Sequence, residues 1–125
     1  MAYDAKLKAR AKTDSIGIYA SLTPDTKDIG AKDIDKAHRK LGYVCIGYHY
    51  VIRRNGTVEE GREEHQAGAF FTPSPETSVG ICLVGTAKAT PEQLKSLKQL
   101  LIDLFIAYPK AKVQSHTALV AQLDN

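Results

Sequence analysis

The chain has 125 residues, enough for one domain with a real core, and its 43% apolar and 25% charged residues exclude a disordered chain. A net charge of +3 gives only weak support for an anionic partner such as nucleic acid or an anionic cell-wall polymer. Cys45 and Cys82 lie in apolar surroundings outside any CxxC pair, which excludes a disulfide scaffold and reads as buried thiols in a reducing compartment.

Residues 1–13 form a basic arm, with "KLKARAK" at 6–12, read either as a solvated, poorly ordered terminus or as a contact arm for a partner. The start lacks an apolar h-region and no apolar run approaches the ~18 residues of a membrane span, so neither a signal peptide nor a span is expected. The expected location is the cytoplasm. The domain proper is taken as residues 14–125. Residues 14–20, including "SIGIYA", read as a first strand, followed by "SLTPDTKDIG" with Pro24 and Asp25 as turn chemistry. "AKDIDKAHRKLG" places Ile34, Ala37, His38 and Leu41 on one helical face, and Gly42 is a natural stop.

"IGYHYVIRRNGTVEEG" is the clearest local signal: a β-rich run from Tyr48 to Arg53 meets Asn55-Gly56, and a second strand begins at Thr57, which predicts a hairpin. "SVGICLVGT", apolar and bounded by glycines, predicts a central strand buried on both faces. Thr90-Pro91-Glu92-Gln93 supplies an N-cap, a proline at N1 and a capping-box glutamine. Leu94, Leu97, Leu101, Leu104 and Phe105 continue as an amphipathic helix ending before Pro109, and "AKVQSH" is a last short strand. The order β, α, β-hairpin, β, α, β predicts a mixed sheet with helices packed against it, an α/β or α+β domain.

By residue type alone, candidates for chemistry are few. His49 and His116 lie at strand positions and Asp124 lies eight residues beyond His116. His116 and Asp124 would supply half a metal site, whereas zinc takes three or four ligands. No nucleophile elbow, Walker loop or dinucleotide fingerprint is present, and "GICLVG" reads as strand packing.

The blocks "GYHYVIRRNGTVEEGR", "AGAF", "SVGICLVGT" and "TPEQLKSLKQLLIDLFIAYPKAKVQSH" resemble, in series and spacing, the zinc-dependent N-acetylmuramoyl-L-alanine amidases. These belong to the type-2 amidase and peptidoglycan-recognition-protein superfamily, and the similarity is greatest to the small amidase "lysozymes" (endolysins) of short-tailed bacteriophages. The resemblance implies a single α/β domain with a mixed central sheet flanked by helices. It also implies one zinc, held by a histidine ending the first strand, a histidine ending the last, and a cysteine or aspartate soon after. That metal activates a water against the amide between muramic acid and L-alanine. A tyrosine of the "GYH" block and, in phage enzymes, a lysine before the third ligand assist the water and the oxyanion.

Carried over position by position, Tyr48 keeps the family tyrosine, His116 the second zinc histidine, and Asp124 falls at the third ligand. The first zinc histidine is Tyr19, since the family's "VHCSAT" reads "IYASLT" here. The groove histidine of "GSH" is Phe70, and the assisting lysine is Gln122. The chain stops at Asn125, where relatives continue through "CPSF" or "CPGP". A neutral imidazole binds zinc without deprotonation at pH 7, whereas a phenol with a pKa near ~10 must first lose its proton. Three aligned departures therefore read as a domain that has given up the reaction. The expectation is a catalytically degenerate, phage-type pseudoenzyme without zinc, binding a peptidoglycan fragment or a protein such as RNA polymerase or a virion component. The alternative is a working zinc amidase with a Tyr19–His116–Asp124 site.

Each position also has a plainer role open to it. Tyr48 and His49 serve either hairpin packing or the groove, and Phe70 with Phe71 either core or an exposed patch. Arg53, Arg54 and Arg62 read as a solvated basic edge or, more sharply, as a contact for a peptide carboxylate or polymer. Gln122 and Asp124 are either frayed surface or site residues.

Overall fold

The computed structural model describes residues 6–70, 72, 74–86 and 88–115. In chain order the elements are β1 (Ser15–Ala20), α1 (Ala31–Lys40), β2 (Tyr50–Ile52), β3 (Val58–Glu60), a 3-10 turn (Pro75–Thr77), β4 (Ser78–Leu83), α2 (Pro91–Ala107) and β5 (Lys112–Ser115). The strands form one mixed sheet in the order β3-β2-β4-β1-β5. β2 and β3 pair antiparallel as the hairpin, and the other pairings are parallel. This is the α/β architecture expected, with β4 central and buried along its whole length.

Alternation along the strands sends side chains to two faces. Ile16, Ile18, Ile52, Val79, Ile81 and Leu83 meet Leu97, Leu101 and Leu104 of α2 in the main core. The opposite face carries a smaller cluster in which Val51 and Cys82 of the sheet meet Ile34 of α1 and the loop residues Ile29 and Ile46.

α2 starts where the sequence predicts. The Thr90 hydroxyl accepts from the Gln93 N–H at 3.0 Å while Gln93 Oε1 accepts from the Thr90 N–H at 2.9 Å. Gln93 does more than cap. It is fully buried, and its Nε2 donates to the carbonyls of Ile52 (3.1 Å) and Val84 (2.8 Å), pinning the helix start to β2 and the end of β4. α1 is anchored by the hairpin, because Glu59 of β3 accepts from the Ala31 N–H at 2.8 Å and supplies negative charge at the helix N-terminus. The hairpin turn closes through the Gly56 N–H to the Arg53 carbonyl at 2.8 Å, with Gly56 at φ +91, a region glycine enters at little cost.

Within the basic arm, residues 8–11 depart from the reading as poorly ordered, although most described side chains of the arm stay exposed. Ala9 bridges Gln66, and backbone bonds tie Lys8 to Ala67, Arg10 to His65 and Ala11 to Glu76. The Arg10 guanidinium donates to the Glu64 carbonyl at 2.6 Å and lies 5.5 Å from the centre of the Tyr108 ring. Glu64 in turn accepts from the hydroxyls of Tyr50 and Tyr108. Burial works to raise the Glu64 carboxyl, but the two phenol hydrogen bonds together with neighbouring charge, Arg10 first, leave the pKa lowered. The arm is held because its backbone donors and acceptors find partners in the 63–67 loop, a pairing that local composition does not reveal.

Candidate functional site

The strand register lays out the floor of the site. Ser15, Gly17 and Tyr19 of β1 stand beside Ser78, Gly80 and Cys82 of β4, and Lys112 and Gln114 of β5 fall opposite Ser15 and Gly17. This is the face on the α1 side. Two glycines side by side leave its middle flat.

Aromatic rings occupy that flat floor. Tyr19 is 8% exposed, and its ring folds back along its own strand over Gly17. A methyl added at Gly17 would stand 2.6 Å from Tyr19 Cε2 and 2.7 Å from its hydroxyl oxygen. The Phe70 ring covers Gly80 in the same way. Ring centres are 5.5 Å apart for Tyr19–Phe70, 5.9 Å for Tyr19–Tyr48 and 6.1 Å for Tyr48–Phe70, the last pair nearly parallel at 17°. His38 extends the wall, 5.6 Å from Tyr48 and 5.0 Å from Tyr43. Such tilted and offset contacts are favourable ring geometries, so the cluster holds itself together.

Burial raises the pKa of both Tyr19 and Tyr48, so each phenol keeps its proton at neutral pH. A phenol folded back over Gly17 and packed against Phe70 and Tyr48 does not fit the place of the family's zinc-binding imidazole. Among the described residues, no group of three or more His, Cys, Asp or Glu side chains is placed to hold a metal ion. His116, Gln122 and Asp124 lie outside the described residues.

Two residues read as groove contacts are taken up by the fold. His49 is 1% exposed; its Nδ1 accepts from the Gly80 N–H at 2.9 Å and its Nε2 meets the Gln66 carbonyl at 2.6 Å. With a donor on one nitrogen and an acceptor on the other, the ring is neutral with its proton on Nε2. Burial drives its pKa down to about 4, against a hydrogen bond to Gln66 that works the other way. Arg62 is not part of a solvated basic edge. It is 3% exposed, and its guanidinium donates to the carbonyls of Ile46 (3.0 Å), Ala67 (2.9 Å) and Cys45 (3.1 Å). The correction has a physical reason: three converging carbonyls satisfy a buried cation that sequence alone would leave in water. Arg53 and Arg54 are also engaged, Arg53 with Asp28 at 2.6 Å and Arg54 with the Lys88 carbonyl at 2.9 Å.

Two cavities flank the aromatic wall. One, of about 430 Å³, is lined by Phe70 and Tyr43, the backbone strip 67–69, and Lys6 and Lys8 of the arm. The other, of about 310 Å³, lies between α1 and the loop after β1, with Ile29, Ile34, His38 and Tyr48 on its walls and Lys27 on its lining. Rings and apolar walls with a few charged groups are the make-up of a ligand site. The sequence singled out Tyr19, Tyr48 and Phe70, and Lys6 and Lys8 as part of the basic arm, but not Gly17, Gly80 or Tyr43. The available signal was a glycine inside each of two strands, which marks a close approach by another group.

The N-acetylmuramoyl-L-alanine amidase family model matches residues 13–124. The endolysin of Klebsiella phage KP32 is 37% identical over 115 residues, covering 86% of this chain and 76% of that protein. Among solved structures, the N-acetylmuramoyl-L-alanine amidase LysC from Clostridium intestinale superposes with a TM-score of 0.73 at 27% identity, covering 83% of this chain and 70% of that one. A point variant of Drosophila PGRP-LB in complex with tracheal cytotoxin superposes with a TM-score of 0.78 at 23% identity, covering 90% and 75%, a likeness of fold.

Proposed function

The chain belongs to the N-acetylmuramoyl-L-alanine amidase family, and we propose that this member holds peptidoglycan fragments without hydrolysing them. The observation that carries the proposal is the position of Tyr19. Where the family places a metal-binding imidazole, a phenol lies back over Gly17 and packs against Phe70 and Tyr48. The family's zinc supplies an activated water when bound. Retention of a ligand needs no such water.

The remaining groups suit retention. The aromatic wall offers flat, apolar area with little conformational entropy to lose on binding. Tyr48, its phenol kept protonated by burial, has a hydroxyl able to donate a hydrogen bond to a bound ligand. Lys6 and Lys8 beside Phe70 and Tyr43 give the cavity lining positive charge, which suits the carboxylates of a peptidoglycan stem peptide. The relative held in complex with tracheal cytotoxin, a peptidoglycan fragment, supports the ligand class.

The test pairs co-sedimentation on purified peptidoglycan with turbidity clearing and metal analysis of the protein. Retention on the wall without clearing is the expected result. Clearing with one zinc per chain would favour an active amidase built on Tyr19, His116 and Asp124 and would overturn the proposal. Absence of retention, with capture of RNA polymerase or a virion component instead, would move the partner to protein.

A further inference from the structure

We infer that Tyr19, Phe70, Gly17 and Gly80 form one coupled unit, two rings seated on a two-glycine floor, and that this unit keeps divalent metal out of the cleft. The inference rests on the non-hydrolytic reading and deepens it: the barrier to metal is a seated plug, not only one missing imidazole.

Gly17 and Gly80 are register partners on adjacent parallel strands, β1 and β4, both buried along their length. Glycine gives a strand interior no side chain to pack, so two of them side by side need a cause. Conformational freedom is not the cause. Positive φ falls at Gly42, Gly56 and Gly85, and neither Gly17 nor Gly80 is among them. What both positions require is the absence of a Cβ. An added Cβ would stand 2.6 Å from Tyr19 Cε2 at Gly17 and 2.6 Å from Phe70 Cε1 at Gly80, closer than carbon atoms approach. The two rings then meet each other at 5.5 Å and a 54° tilt. Tyr19 covers Gly17, Phe70 covers Gly80 and also lies against Gly68, and each ring braces the other. An open metal centre needs donor atoms and a position for exchangeable water; here the floor is occupied by the two rings and the Tyr19 hydroxyl. An imidazole placed at residue 19 would still face the Phe70 ring.

A double-mutant cycle tests the coupling. Alanine ordinarily replaces a strand glycine at no loss, yet Gly17→Ala should lower the urea midpoint, because the new methyl displaces the Tyr19 ring. In a Tyr19→Ala background (or Tyr19→Leu, should the alanine variant not fold) the same change should leave the midpoint unchanged or raise it. An equal fall in both backgrounds overturns the coupling and leaves the non-hydrolytic reading standing. Cobalt(II) absorption, read without any substrate, tests the exclusion. The wild type should show no d–d band, and Tyr19→His/Phe70→Ala should bind cobalt about 10-fold or more tighter than Tyr19→His alone. Equal affinity of the two variants, or no band in either, overturns the plug as the barrier to metal. A wild-type band that Tyr19→Phe abolishes overturns the non-hydrolytic reading itself.

Discussion

On the face covered by α2, the sheet presents Ile16, Ile18, Ile52, Val79, Ile81 and Leu83, and three leucines of the helix fill the space above them. On the opposite face the same β1 and β4 present serine, glycine, tyrosine and cysteine, and the covering groups are rings and loops. The first face is built by volume: aliphatic side chains of about the right size exclude water, and the stabilisation follows the area they bury. The second is built by fit, since each ring rests on a residue that must have no side chain. One backbone thus carries a face that tolerates exchange among apolar residues and a face where a single methyl is felt.

The strongest way to break the comparison is on the aliphatic face. Leu97→Ala, at a fully buried position under the sheet, should cost about 2–5 kcal/mol in urea unfolding and leave peptidoglycan retention under native conditions unchanged. Acid should act through the other face. His49 is held neutral with its pKa near about 4, against an ordinary value of 6.5, with Arg10 and Arg62 adding to the effect of burial and Glu64 opposing it. Between these values the unfolded chain binds the proton and the folded chain does not, so unfolding free energy rises with pH across the window. The contribution is full above about 6.5 and lost as pH falls through about 4, in all ~3 kcal/mol. His49→Gln, which keeps a donor and an acceptor without titrating, should flatten that part of the pH–stability curve.

A smaller effect is expected where the two faces are joined. Gln93→Leu removes the donors to the Ile52 and Val84 carbonyls and the brace on Thr90, and should cost about 1–3 kcal/mol by thermal or urea unfolding. The smallest lies just past β1, where Leu22 is 76% exposed yet sits at φ +60. Leu22→Gly should be neutral or stabilise by up to about 1 kcal/mol, because it relieves a left-handed backbone without losing buried area.

The aliphatic face was legible in the sequence. Strict alternation in "SIGIYA", the apolar "SVGICL" and the Thr90–Gln93 capping box fix β1, β4 and the start of α2 from local chemistry. The site was legible only in its aromatic and titratable members. Tyr19 and Phe70 stood out as departures from the family pattern and Tyr48 as a residue that keeps it, whereas the floor beneath them did not stand out, because a glycine in a strand names no partner until the ring above it is placed. Arg62 was read toward solvent, and the packing role left open for His49 could not be chosen over the groove, for a related reason. Their burial depends on backbone carbonyls and amides brought in by the 45–47 and 66–67 segments and by β4, which no local pattern encodes.

Whether this amidase-family fold binds without cutting is tested most directly by counting amino groups. Purified peptidoglycan is incubated with the wild-type chain and excess zinc, and free L-alanine amino termini are measured in the same samples in which wall-bound protein is quantified. The account predicts protein retained on the wall and no amino termini above the protein-free control. Amino termini released in proportion to the protein added would contradict it.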